Sequence, residues 1–189
     1  MYGKLRINQP DGSYERYYGR IDNNMANGKG TSKNRTYQYD GEFKNNKKHG
    51  KGYYFDDFST YDGQWKEDNY HGYGILNCHG GPHYTGEWKD GKKDGFGQYF
   101  YPDSGPHDEW DSDDYVYIGE WKNDMRHGFG SFLAKTWLDV PIYKYVGLWV
   151  NDKKEGLFQL VEYDLIHSTK DDAIESKNET VIFKNDKIV

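Results

Sequence analysis

The chain has almost no cysteine, little aliphatic bulk and no surplus of positive charge, and each shortage closes off a class of protein. Cys78 is the single cysteine among 189 residues, so neither an intrachain disulfide nor a cysteine-rich zinc site can form. No apolar run approaches the roughly 20 residues that a membrane-spanning helix needs. The opening MYGKLRINQPDGSYERYYG lacks the apolar stretch of a secretory signal, so the expected location is cytoplasmic and cytoskeletal. Nucleic-acid binders carry a basic stripe and an excess of cations, whereas this chain has a net charge of −6; nucleic acid is not an expected partner. The charge is uneven. Residues 1–100 hold 15 Lys and Arg against 13 Asp and Glu, and residues 101–189 hold 10 against 18. An acidic protein is a poor default partner for an anionic membrane surface.

Aromatic residues and glycine take the place of what is missing. Hydrophobic residues make up 34% of the chain and aromatics alone 18%, so 19 Tyr, 9 Phe and 6 Trp must supply the buried area that Leu, Ile and Val runs supply in an ordinary domain. An aromatic side chain buries about 150–250 Å² and, in Tyr and Trp, keeps a polar handle, which suits a thin structure with a wet rim. The 23 glycines imply many turns or close backbone approaches.

These residues recur in register. A tyrosine is followed two residues later by glycine, and nine residues after that by Gly-x-Gly. The copies are Tyr17-Tyr-Gly19 with Gly28-Lys-Gly30, Tyr39-Asp-Gly41 with Gly50-Lys-Gly52, and Tyr61-Asp-Gly63 with Gly72-Tyr-Gly74. Tyr84-Thr-Gly86 with Gly95-Phe-Gly97 and Tyr117-Ile-Gly119 with Gly128-Phe-Gly130 follow. A sixth, Tyr145-Val-Gly147 with Gly156-Leu-Phe158, loses its last glycine. Two residues after the first glycine stand Ile21, Phe43, Trp65, Trp88, Trp121 and Trp149. The first glycines are 22, 22, 23, 33 and 28 residues apart, giving a unit of 22–23 residues with insertions at 103–114 and 133–144. Residues 3–14 read as the second half of a preceding unit. Residues 179–187 align with 145–153 and put Phe183 at the Trp149 position. The array is therefore expected over 1–160, with a degenerate half unit and cap over 161–189; worn end units are what capping an array requires.

One unit shows why this is a β repeat. In Tyr39-Asp-Gly-Glu-Phe-Lys44 the apolar or small residues fall at 39, 41 and 43 and the polar ones between them, the period of a half-buried strand. Asn45–His49 is polar and Asn-rich, as a turn would be, and Gly50–Phe55 returns as the second strand. Glycine weakens a strand unless a neighbouring backbone or ring approaches closely, so the rings of one hairpin are expected over the glycines of the next. A lone hairpin is marginal in water. The expected fold is thus all-β, an elongated single-layer antiparallel sheet of tandem β-hairpins.

The pattern Y-x-G-x-[W/F]-x6-G-x-G resembles the MORN repeat (membrane occupation and recognition nexus), from about Gly3 to Gly156 and in the degenerate tail. The resemblance implies a hairpin array, often dimeric, that serves as a scaffold in cilia, basal complexes and membrane junctions. The stretch Tyr145–Gly156 followed by Leu160-Val161 is further similar to the last repeats of radial spoke head proteins.

Several sharper sites lose to plainer readings. The Gly-x-Gly pairs are followed by no helix, which a phosphate cradle would need. His49, His71 and His127 each precede a Gly-x-Gly, but Asn27, Asp94 and Glu155 fill the same slot elsewhere and no nucleophile or orienting acid recurs beside them. Cys78, His79 and His83 stand in a Gly-Pro loop; three donors leave a zinc site short of a ligand. The acidic stretch 103–114 lacks the alternating register of a calcium loop and reads as a solvated or docking loop. Residues 168–178 allow a short helix capped by Ser168 and Asp171, or an irregular connection.

The expected function is therefore a non-catalytic scaffold or adaptor that needs no cofactor and no metal. It would join other proteins of a multi-subunit cytoskeletal assembly, with self-association as an option and the radial spoke head of the ciliary axoneme as the assembly. An aromatic stripe of Tyr39, Phe43, Tyr61, Trp65, Tyr84, Trp88, Tyr117, Trp121, Tyr145 and Trp149 is the expected partner-binding surface, since exposed aromatic patches mark interaction sites. The alternative is phosphoinositide-dependent membrane tethering through a basic band of Lys44, Lys47, Lys48, Lys51, Lys89, Lys92 and Lys93.

Overall fold

The computed structural model describes residues 1–10, 12–101, 113–136, 141–165 and 173–189. Every regular element in it is a strand: β1 (Tyr2–Asn8), β2 (Tyr14–Asp22), β3 (Met25–Lys33), β4 (Tyr37–Lys44), β5 (Lys47–Asp56), β6 (Ser59–Lys66), β7 (Asn69–Cys78) and β8 (His83–Lys89). They are followed by β9 (Lys92–Tyr101), β10 (Asp113–Lys122), β11 (Met125–Thr136), β12 (Pro141–Val150), β13 (Lys153–Leu165), β14 (Ala173–Lys184) and β15 (Lys187–Ile188). The order of strands in the sheet is their order in the chain, and pairs such as β4 with β5 and β10 with β11 are antiparallel. This is the single antiparallel sheet of tandem hairpins that the repeat predicts. The chain divides into two compact units, one of residues 1–79 and 87–92 and the other of 80–86 and 93–189.

The hairpin turn is tighter than composition suggests. Asn45 and Asn46 alone make it, with φ of 51° and 67°, and Lys47–His49 already belong to β5. Two successive residues at positive φ are the signature of a type I′ turn, whose twist matches that of the strands. Asn23-Asn24, Glu67-Asp68, Asn123-Asp124, Asn151-Asp152 and Asn185-Asp186 repeat the geometry. Asn and Asp tolerate that region because their short side chains bond locally.

The two glycines of Gly-x-Gly serve different ends. The register slips between Gly41 and Glu42, which pair with Gly52 and His49, leaving Gly50 and Lys51 as a bulge. Gly50 there has a φ of 59°, a conformation that suits glycine. Gly52 faces Gly41 across the strands, and a Cβ at the equivalent Gly63 would come within 2.6 Å of both the Gly74 Cα and the Tyr61 hydroxyl oxygen.

That contact corrects one expectation. The tyrosine ring lies over the glycine pair of its own hairpin: Tyr17 over Gly19 and Gly30, Tyr39 over Gly41 and Gly52, Tyr61 over Gly63 and Gly74. It is the tryptophan that reaches the preceding hairpin. The indole N–H of Trp65 donates to the Gly52 carbonyl (3.1 Å), Trp88 to Gly74 (3.2 Å), Trp121 to Gly97 (3.3 Å) and Trp149 to Gly130 (3.4 Å). A tyrosine pointing along its own strand reaches only its own glycines, whereas the broader indole spans to the neighbouring strand.

Two further expectations change. Residues 173–178 belong to β14, paired with β13 at Glu175–Tyr163 and Lys177–Glu162; a helix of one or two turns would be poorly nucleated, while pairing with β13 satisfies the backbone. Ser168 and Asp171 lie outside the described residues. The insertion at 133–144 in part lengthens strands, since 133–136 end β11 and 141–144 begin β12. The acidic segment 102–112 lies outside the described residues, and Asp113-Asp114 opens β10.

Candidate interaction surfaces

The ring face of the sheet is the core. In the first unit Tyr17, Phe43, Tyr39, Trp65, Tyr61 and Trp88 form a continuous edge-to-face series with centroids 4.8–5.8 Å apart. In the second, Tyr84, Trp121, Tyr117, Trp149, Phe158 and Phe183 do the same at 5.1–5.6 Å. Such pairs contribute about 0.5–1.5 kcal/mol each beyond burial. Cations roof the rings in place of a second layer. The Lys48 ammonium lies 4.4 Å from the Tyr37 centroid and 5.5 Å from Trp65; Lys93 lies 4.5 Å from Trp121, and the Arg126 guanidinium 4.3 Å from Trp149.

This packing decides the standing of the aromatic stripe. Tyr39, Phe43, Tyr61, Trp65, Tyr84, Trp88, Tyr117, Trp121 and Trp149 are all buried within the chain, because glycine floor, neighbouring rings and cationic roof enclose them. They present no open contact surface. Tyr145 alone is half-buried. In its copy Phe158 replaces the last glycine, and the Phe158 ring occupies the space over Gly147 that a tyrosine ring holds elsewhere. Tyr145 instead stands against Phe183, 5.7 Å away.

Ionisation on this face follows burial. The phenols of Tyr39, Tyr61 and Tyr117 are held well above the ordinary tyrosine range, chiefly by burial, and those of Tyr70 and Tyr101 are pushed up to about 12 by the same cause. Burial among the rings lowers the Lys48 ammonium against the pull of Glu15 and Asp68. The basic band expected from sequence is accordingly not one surface. Lys48 roofs rings, Lys51 lies on the opposite face in a groove floored by Gly30, Gly41 and Gly52, and Lys47 faces Glu67 at 3.8 Å.

No three His, Cys, Asp or Glu side chains converge on a metal-sized site among the described residues. His79 Nδ1 contacts the Asp57 carbonyl at 3.1 Å, and the His83 ring stacks on Phe100 at 5.8 Å. His49 and His127 keep a buried Nδ1 with no hydrogen-bond partner among the described residues.

Open apolar surface lies on the other face. In the second unit Phe129 of β11 and Leu157 of β13 are 67% and 66% exposed. Phe129 stands directly opposite Leu148 of β12, and Leu157 opposite Ile182 of β14; both partners are also exposed, as is Ile118. The row crosses four consecutive strands. The repeat pattern in sequence does not single it out, although the residue between the paired glycines carries the signal: Lys29, Lys51, Tyr73, Phe96, Phe129 and Leu157 run from charged to apolar along the chain. In the first unit the same face carries exposed Arg6, Arg16 and Lys33 beside exposed Tyr18, Tyr53 and Tyr73.

A comparison with curated proteins finds no match. The family model described as "MORN repeat" matches residues 39–60, 61–81, 84–105, 117–137 and 145–157. The copy at Tyr17 lies outside those stretches, yet its ring covers Gly19 and Gly30 as the others cover theirs. With just over half of its residues in five matched repeats, the chain belongs to the MORN-repeat family, a family of protein-interaction or membrane-binding repeat proteins.

Proposed function

We propose that the chain is a non-catalytic scaffold that binds partner proteins within a cytoplasmic cytoskeletal assembly, and that this assembly is the radial spoke head of the ciliary axoneme. The observation that carries the scaffold reading is the exposed row Phe129, Leu148, Leu157 and Ile182. An exposed apolar row on a sheet face marks an interaction site, and aromatic and aliphatic groups flanked by a polar rim are its usual anchors. Membership of a repeat family of protein-interaction or membrane-binding proteins supports the non-catalytic reading. The axonemal assignment is supported by the likeness of residues 145–161 to the last repeats of radial spoke head proteins.

The test is affinity purification of the tagged chain from ciliated cells, beside a Phe129→Asp/Leu157→Asp double variant. Both substituted side chains are exposed, so the variant should keep its near-ultraviolet circular dichroism. Radial spoke components should co-purify with the parent chain and be lost with the variant. Equal recovery with both would remove the row as the docking surface, and a parent chain that brings down no axonemal protein would remove the assembly.

A further inference from the structure

The apolar row of the second unit runs across the strands, and its spacing and charged margin decide what kind of group it fits. Phe129 of β11, Leu148 of β12, Leu157 of β13 and Ile182 of β14 are exposed on four consecutive strands. Phe96 of β9 extends the row and is 56% exposed. Glu120 of β10, the register partner of Phe96, turns back on β11 and accepts from the Phe129 backbone N–H at 3.0 Å. Neighbouring strands lie about 4.8 Å apart. An α-helix laid across them presents its apolar side chains once per turn of about 5.4 Å, so a tilt of the helix brings one turn to each strand. An extended segment repeats a face only every 6.8 Å or about that, and falls out of step at once. The strands beneath are paired on both sides, so the face offers no backbone partner. An extended peptide there would leave its own amides unpaired, whereas a helix satisfies its own.

On the side of the two-residue turns the margin of the row is cationic. Lys122, Lys153 and Lys184 are exposed, and strand alternation sets them on the face of the row, because Trp121, Lys154 and Phe183 next to them face the rings. Lys187, also exposed, is the register partner of Lys184, and like charges directly opposite destabilise a sheet. Lys122 pairs with Asp94 at 3.2 Å. Lys153, Lys184 and Lys187 ion-pair with no described residue. The carboxylates of the turns are engaged otherwise. Asp124, Asp152 and Asp186 accept from the backbone N–H groups of Lys93, Arg126 and Lys154, and Glu155 accepts from that of Asn185. The acidic segment 102–112 joins β9 to β10 at the ends of these strands away from the turns.

We infer that the row receives an acidic amphipathic α-helix of a partner protein, laid across β11–β14, with its apolar face on Phe129, Leu148, Leu157 and Ile182 and its acidic flank against Lys153, Lys184 and Lys187. This rests on the scaffold reading of the row and names the chemistry of what the row binds. From β9 to β14 the row covers about 24 Å, the length of about 16 helical residues. Apolar anchors once per turn along one helix face are how a helix seats on an apolar surface, and the lysine margin fixes which way round it lies.

The probe is a synthetic peptide of about 18 residues, with leucines at helical spacing and glutamates along one flank. At about 0.15 M salt it should bind the full chain and gain helical ellipticity, a signal to which the described strands contribute nothing. The same residues reordered without that spacing should not bind. Leu157→Asp should weaken binding about tenfold or more. Lys153→Glu/Lys184→Glu should weaken the glutamate-flanked peptide about tenfold and tighten a lysine-flanked one, a reversal that lost folding could not produce. Lys29→Glu/Lys51→Glu, on the same face in the first unit, should change neither by more than about twofold. No binding, binding without gain of helix, equal binding of the reordered peptide, or no reversal in the charge variant overturns the helix. So does a dimer of the chain that Phe129→Asp dissociates, or binding to phosphatidylserine vesicles through the same residues without binding of the peptide. Axonemal proteins lost with Phe129→Asp/Leu157→Asp while no peptide binds would reject the helix and keep the scaffold reading. Peptide binding beside undiminished recovery of axonemal proteins in that variant would keep the helix and reject the row as the surface that joins the assembly.

Discussion

A repeat tyrosine that covers a glycine pair, as Tyr17, Tyr39, Tyr61 and Tyr117 do, joins two functions that few other side chains could combine. Its ring fills the space that the paired glycines open, and its hydroxyl donates to a backbone carbonyl three residues on: Tyr17 to Arg20 (2.8 Å), Tyr39 to Glu42 (2.9 Å), Tyr61 to Gln64 (3.0 Å) and Tyr117 to Glu120 (3.0 Å). The hydroxyl stays satisfied while buried, which is the condition for burying a polar group at small cost. It also makes the fold sensitive to alkali. A phenol whose folded pKa lies above the unfolded value of 10.0 stabilises the fold fully below that value, and the contribution is lost as pH rises through the folded pKa. For Tyr70 and Tyr101 that window runs from 10.0 to about 12, and Tyr39, Tyr61 and Tyr117 are shifted the same way. Phenolate absorbance and loss of sheet ellipticity should therefore climb together across this window. Complete phenolate absorbance with the sheet signal intact would show that burial does not hold these protons.

At the scale of the element, the turn links one hairpin to the one before it. Asp152 accepts from the Arg126 backbone N–H (2.8 Å) while its own N–H donates to the Arg126 carbonyl (2.9 Å). Asp68 with Lys48, Asp124 with Lys93 and Asp186 with Lys154 repeat this reciprocal pair. The preceding turn residue is Asn or Asp in every other copy and Glu at 67, with a φ of 49°. The left-handed region costs an ordinary residue about 1–2 kcal/mol, and Asn much less. Against this stands only the exposed Lys47–Glu67 pair at 3.8 Å, a kind of contact that contributes about 0–1 kcal/mol. Glu67→Asn should raise stability by about 0.5–1 kcal/mol, read as a higher urea midpoint with an unchanged slope; a lower midpoint would show that the ion pair outweighs the backbone strain. The strands flanking these turns mark where sequence reading succeeds. The period of two in Tyr39–Lys44 gave β4 within a residue or two, and the alignment of 179–187 gave Phe183 its place opposite Gly156, as Trp149 stands opposite Gly128. Lys47–His49 were misread because polarity marks exposure and turn alike. The aromatic stripe was misjudged because a pattern of period two says which residues share a face, and cannot say that Lys48 and Arg126 will roof it. The apolar row at Phe129 and Leu157 escaped because each residue sits singly between two glycines and meets its neighbours only through strand pairing.

At the scale of the molecule, the strongest packing joins strands that are consecutive in the chain, so stability should behave as a sum of units and nearest-neighbour terms. The C-terminal end tests this. Phe183 of β14 is buried, 5.4 Å from Phe158 and 5.7 Å from Tyr145, with the Lys154 ammonium 4.6 Å from its ring; its neighbour β15 has two residues. Phe183→Ala removes a ring that the short β15 cannot replace, at a cost of about 3–5 kcal/mol. In a uniformly cooperative domain that loss would lower every amide's protection from hydrogen exchange by a similar factor. In a nearest-neighbour array it is confined to β13, β14 and β15, while β2–β5 keep theirs, because no long-range core carries the defect onward. The same variant bears on the scaffold reading, since Leu157 and Ile182 ride on the strands that would fray. Fraying would disperse half of the apolar row without touching an exposed side chain, so partner recovery should fall with Phe183→Ala as it does with Phe129→Asp/Leu157→Asp. Protection lost evenly along the chain would reject the nearest-neighbour account; recovery that survives local fraying would move the docking surface away from β13 and β14.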